Sequence, residues 1–179
     1  MNKKYVVYIG IGILFFVCKL NTYAQQQSIP KIQPRAPTIE HIIRIIQNKQ
    51  PKLDPTTTKE ISKAILIYSK KFQFPPELII AIIERESSFN PVAISKSDCV
   101  GLMQINPTAH PKKLDALNIK GTQIFNIDNN IHLGCLILYE YYNSTGTISE
   151  ALKKYLGANN RAYLLDILTS FTDLMIMKK

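Results

Sequence analysis

Between Pro75 and Phe89 the chain reads PPELIIAIIERESSF, and no other stretch limits the fold so tightly. An unbroken apolar run of this kind reads as a buried helix, opened here by the proline pair. Glu84 and Glu86 then arrive at its C-terminal end, where charge ordinarily marks the return to water. Helical geometry separates the two. At about 100° per residue, with Ile82 as origin, Leu78, Ile79 and Ile83 lie at about −40°, 60° and 100°, a stripe centred near 30°. Glu86 falls at about 40°, in line with that stripe, and Glu84 at about 200°, beside Ile80 on the far side. Glu86 is therefore expected to point into the protein, and Glu84 to reach water or a basic neighbour.

A carboxylate on a core-facing stripe loses hydration, and at the C-terminal end of a helix it meets the negative end of the helix dipole. Both effects favour the protonated form. A carboxyl that keeps its proton at neutral pH has the property a general acid needs toward a poor leaving group such as a glycosidic oxygen. The helix alone leaves open a structural reading, in which Glu86 is a buried residue bonded to the loop that follows.

The remaining pattern is helical almost throughout. Ile42, Ile43, Ile45 and Ile46 predict a helix over 39–48. Asp54-Pro55, an N-cap and first helical position with a Thr57-x-x-Glu60 capping box inside, predicts another to about Phe72. Its apolar stripe is Ile61, Ala64, Ile65, Tyr68 and Phe72. After the 76–86 helix a polar loop runs to about Pro111. DNNIHLGCLILYEYYN, over 128–143, is apolar nearly all round and predicts a central helix. Helices over 148–156 and 161–170 follow, separated by Gly157-Ala158-Asn159-Asn160. No alternating strand set appears, so the fold class is mainly α, with at most a small hairpin in the loop after the Glu86 helix.

The first 24 residues carry Lys3 and Lys4, an apolar stretch from Val6 to Cys18 and a small-residue site at Ala24, the pattern of a secretory signal peptide. Its apolar core falls short of the about 20 residues a membrane span needs, so cleavage is expected rather than stable membrane insertion. Phe16 and Val17 argue against a lipid anchor at Cys18. Residues 25–38, QQQSIPKIQPRAPT, lack apolar periodicity and read as a flexible tether. One domain over 39–170 and a tail over 171–179 complete the expected organisation. Loss of Lys3, Lys4 and Lys19 with the signal takes the formal net charge from +9 to +6. That charge suits an acidic wall polymer or membrane surface in the periplasm or cell envelope. The basic residues have no aromatic interleaving, which argues against a nucleic-acid groove.

Export also bears on the cysteines. Cleavage leaves Cys99 and Cys135, an even pair in an oxidising compartment, and a disulfide from the loop to the later helix is expected, with two free buried thiols as the alternative. His41, His110 and His132 show no ligand spacing to one another, so no metal site is expected.

The loop after Glu86 reads ESSFNPVAIS and then GLMQINP from Gly101. These paired motifs, with Asn130-Ile131-x-x-Gly134 and Tyr155, closely resemble the lytic transglycosylase (SLT) domain, a lysozyme-like family that cleaves the glycan strands of peptidoglycan. The resemblance runs from about Thr57 to about Ile167. It implies a lysozyme-like helical domain with Glu86 as sole catalytic acid/base, Ser95 as pocket serine, Met103 and Gln104 as substrate-contacting floor, and Tyr155 lying against the acid. Each of these four has a plainer reading as turn cap, core filler, backbone partner or packed aromatic. Gly101 and Asn130 are read as structural, Asn130 tying the central helix to the loop. No cofactor is implied. Most glycosidases set two carboxylates across the scissile bond, whereas the resembled mechanism lets one group protonate the leaving oxygen and then deprotonate the C6 hydroxyl of N-acetylmuramic acid, leaving a 1,6-anhydro end.

Two departures stand out. The family's Ala-Tyr-Asn-Ala-Gly segment is here Lys154-Tyr155-Leu156-Gly157-Ala158, and its usual Gly-Ala before Gly101 is Asp98-Cys99. The rival readings are a goose-type-like lysozyme in which Asp98 positions a water, and a non-catalytic wall-binding component of a secretion apparatus. Envelope or secretion-machine proteins would be partners in that last reading.

Overall fold

The structure, a computed structural model, describes residues 37–157 and 161–176. The expected signal peptide, Cys18, most of the tether and the last three residues of the tail lie outside the described residues. Within them the chain forms seven α-helices and no strand, the mainly α class read from the sequence.

Helix α1 is Ile39–Lys49, capped by Thr38, whose hydroxyl accepts from the His41 N–H. Helix α2 is Pro55–Phe72, and its cap is Asp54, whose carboxylate accepts from the Thr57 N–H at 2.9 Å. Thr57 is not the cap of a box, because Asp54 holds the N-cap position and Thr57, already inside the helix, donates its hydroxyl to that carboxylate. Helix α3, Pro76–Ser87, begins on the proline pair with no side-chain cap. A 3-10 turn at Pro107–Ala109 closes the stretch expected to be loop, and the short α4, Pro111–Ala116, and a 3-10 turn at Gly121–Phe125 fill the stretch between that loop and the central helix. Helix α5, Ile127–Thr145, is capped by Asn126 and ends on Gly146 at φ 77°, a left-handed conformation that glycine reaches without a Cβ penalty. Helices α6, Ile148–Tyr155, and α7, Arg161–Ile176, complete the domain. Helix α7 continues past the expected end at Ser170, through residues read as tail, because Phe171 and Leu174 extend its apolar spacing and Leu174 is buried.

Helix α3 is enclosed by its neighbours: α1, α2 and α7 all pack against it, and every residue from Pro76 to Ile83 is buried. Ile80, beside Glu84 on the far side from Glu86, is 0% exposed. Glu84 shares that side but reaches a basic partner, Lys49, at 2.6 Å, and accepts from the Ser170 hydroxyl at 2.7 Å. The other half of the domain is built on α5, which packs against α2 and α6.

Where α3 ends, Ser88 and Phe89 turn left-handed in succession, at φ 50° and 64°. For residues with a Cβ this costs roughly 1–2 kcal/mol each. The Phe89 side chain, 1% exposed, returns a comparable 1.5–3 kcal/mol, roughly, on burial and so pins the sharp exit. The loop beyond it is held by isolated β-bridges, Ile94 to Val100 and Val100 to Ile105, in place of a regular hairpin.

Candidate active site

The floor of a cleft forms where this loop lies across α5. Asn130, 0% exposed on α5, accepts from the Met103 N–H at 2.8 Å and donates to the carbonyls of Val100 at 3.1 Å and Ile124 at 3.0 Å. One amide thus serves three backbone groups, of which the Val100 carbonyl also accepts from the Ile105 N–H at 3.0 Å. Two glycines permit the approach. A Cβ on Gly101, already at φ 77°, would sit 2.2 Å from the Asn130 Nδ2, and one on Gly134 would sit 2.4 Å from the Met103 Sδ. From α6 the Tyr155 hydroxyl donates to the Met103 carbonyl at 2.8 Å. Gln104, left-handed at φ 47°, turns its amide back on the loop and donates to the carbonyls of Ala93 and Gly101. The Ser95 hydroxyl accepts from the backbone of Ser97 at 3.3 Å and Cys99 at 3.1 Å.

Glu86 faces this floor across a cavity of about 290 Å³ that Ser95, Gln104, Tyr155 and Leu156 also line. Burial pushes its carboxyl up to about 7, against opposing effects of a hydrogen bond from Tyr163 and the nearby charge of Arg85. No other carboxylate lines the cavity among the described residues, and Asp98 is exposed outside it. Met103 is buried beneath the floor with no exposed surface. The Tyr155 phenol is pushed well up by burial and by Glu86 nearby, so it stays protonated and able to donate.

Tyr163 is the residue that the sequence reading missed. It projects from α7, bonds Glu86, and carries the Arg85 guanidinium 4.3 Å above its ring, with Arg85 also paired to Asp166 at 3.2 Å. Its signal was present only as a helical aromatic eight residues beyond Tyr155. Removing the hydroxyl with Tyr163→Phe takes away a bond that favours the carboxylate. A carboxyl-selective NMR titration should then place the Glu86 transition at higher pH than in the parent. An unmoved transition would mean that the hydroxyl does not act on Glu86.

Cys99 and Cys135 are free thiols, which corrects the expected disulfide. Cys135 is sealed in the core on α5, with its thiol held protonated by burial. Cys99 is placed instead by the Ser95 hydroxyl and lines the cavity. Even number and an oxidising compartment carry no information about the distance between two thiols. A larger opening, about 470 Å³, lies on the Glu84 side of α3, where Lys49, Glu84, Arg85 and Asp166 are already paired among themselves.

Comparison with known proteins gives one matching family model, the transglycosylase SLT domain, over residues 63–162. The membrane-bound lytic murein transglycosylase C of Photorhabdus laumondii subsp. laumondii is 39% identical over 83 residues, 42% of this chain and 23% of that protein. Its namesake from Sodalis glossinidius is 33% identical over 96 residues, 49% of this chain and 26% of that protein. The one from Pectobacterium atrosepticum is 34% identical over 96 residues, with the same two shares, 49% and 26%. The chain spans about a quarter of the length of these relatives.

Proposed function

Because the chain belongs to the transglycosylase SLT domain family, we propose that it is a lytic transglycosylase that cleaves the glycan of peptidoglycan between N-acetylmuramic acid and N-acetylglucosamine. The observation that carries this reading is Glu86: the one carboxylate lining its cavity among the described residues, pushed by burial to about 7. A carboxyl poised there holds enough of its proton at neutral pH to give it to a glycosidic oxygen, and enough basicity to take one back. Its first role is to protonate the leaving oxygen. The muramic acetamido group then steadies the cationic centre, and the Glu86 carboxylate draws the proton from the C6 hydroxyl, which closes onto C1 as a 1,6-anhydro ring. The site asks for no second carboxylate and no cofactor in this sequence of steps.

The supporting residues divide the remaining work. Ser95 and Gln104 present polar atoms to the sugar beside the scissile bond. Tyr155 keeps the Met103 backbone in place, and Tyr163 holds the Glu86 carboxyl in one orientation. Leu156, in the position where the resembled pattern has Asn, offers the sugar an apolar contact instead of a hydrogen bond. An exported protein acting in the cell envelope fits this substrate and the basic charge.

Incubation of the purified protein with peptidoglycan, followed by mass analysis of the soluble muropeptides, tests the reaction. Products about 18 Da lighter than the corresponding reducing muropeptides, the mass of one water retained by neither fragment, are expected. Reducing ends would mean that water, and not the C6 hydroxyl, attacks, which is the lysozyme outcome.

A further inference from the structure

Past Tyr155 and Gln104 the cleft opens into a second cavity of about 310 Å³. It shares Cys99, Gln104, Tyr155 and Leu156 with the Glu86 cavity, so a glycan strand seated against the acid brings its neighbouring sugar or that sugar's substituent here. Its lining holds Lys154 and His110 and no carboxylate among the described residues. Of the nearby acids, Glu140 pairs with Lys113 at 2.8 Å and Glu150 with Lys153, and Asp98, next to Cys99, is exposed and lines neither cavity. The Lys154 ammonium donates to the Ser144 hydroxyl at 3.2 Å and has no ion pair among the described residues. Burial, with Lys113 alongside, holds the His110 imidazole below its ordinary value, so at neutral pH it stays an uncharged donor. A cation without an ion pair, at a recess that no carboxylate lines and that adjoins the reaction centre, favours an anionic group on the substrate. The resembled family pattern has alanine at this position, so the charge belongs to this chain.

We propose that Lys154 makes the second cavity a carboxylate-binding subsite, reading an acidic group carried by a muramic residue next to the scissile bond. Two groups share that chemistry: a free carboxylate of the peptide stem, and the lactyl acid exposed when a stem has been removed. This inference rests on the transglycosylase reading.

Initial rates of the full purified protein on three soluble glycans test it: stem-bearing, stem-stripped with free lactyl acids, and stem-bearing with its carboxylates converted to amides. Lys154 is exposed, so an ion pair there is worth a modest preference, about two- to fivefold in KM for the carboxylate-bearing substrate over the amide-capped one. Lys154→Met is expected to abolish that preference, with the change falling on KM rather than kcat, and Lys154→Arg to restore it. Added salt should shrink it in the parent. A preference for stripped over amide-capped glycan assigns the lactyl acid; a preference confined to stem-bearing glycan assigns the stem carboxylate. Either supports the subsite. Cleavage of all three glycans without preference, or a preference that survives in Lys154→Met, overturns it. If none of the three is cleaved, the proposed activity falls and this inference with it.

Discussion

A Glu86→Gln protein is expected to fold, to melt at least as high as the parent above neutral pH, and to lose glycan cleavage by about 10²- to 10⁴-fold. Glutamine keeps the shape of the side chain and an oxygen that can accept from Tyr163, but it has no proton to give. The stability half of the prediction follows from linkage. Burial raises the folded-state value of Glu86 from an ordinary 4.5 to about 7. A raised carboxyl contributes its stability below its unfolded value and loses it as pH rises through its folded value. Above neutral pH the parent must therefore hold an ionised group in a poorly hydrated place, and the variant need not. The variant's advantage should grow as pH rises from about 4.5 to about 7 and hold level above that, and it should be absent below the unfolded value. The same titration predicts that kcat/KM of the parent falls on the alkaline side of about 7. A variant within tenfold of parental activity would place the acid elsewhere.

The largest stability effect is expected from Asn130→Ala. Truncation removes three hydrogen bonds and leaves the Met103 N–H and the Ile124 carbonyl without that partner, while the Val100 carbonyl keeps the Ile105 N–H. Each buried group abandoned in this way costs about 1–3 kcal/mol, some of which a water entering the space recovers. A net loss of about 2–4 kcal/mol in denaturant unfolding is expected, a large share of the total stability of a domain this size. Cleavage should suffer as well, because the floor opposite Glu86 hangs on that amide. A loss under 1 kcal/mol would mean that Leu102, Met103 and Ile105 hold the loop by apolar contact alone.

Helical periodicity was legible to within a few residues at most helix ends, because apolar spacing and caps such as Asp54 act within one turn. What lay beyond its reach depends on contacts between distant segments. An angular stripe on α3 locates the face of Glu86 but not which neighbours enclose the helix, and Ile80, beside Glu84 on the far side, is buried as well. Tyr163 escaped notice for a related reason: its bond to Glu86 exists only because α7 folds back over the C-terminal end of α3. The short α4 and the 3-10 turns are each too brief to show a period in the sequence, although Pro107 and Pro111 stand at two of their starts. The disulfide failed because it was argued from chemistry without geometry. The two motifs around Glu86 and Gly101 were the strongest part of the reading, since close backbone approach at Gly101 and Gly134 leaves a mark on residue type itself.

The cleft floor borrows its anchorage from side chains on two helices instead of joining a sheet, and that division has a consequence for redesign. Between Phe89 and Ile105 the segment meets its scaffold mainly through a few plug-in points: the Phe89 ring, the Leu102-Met103 pair, and the amide and phenol supplied by Asn130 and Tyr155. A transplanted segment of different sequence that preserves those sockets could be exchanged without re-engineering the helices, so sugar preference and the folding of the bundle can be varied as separate traits.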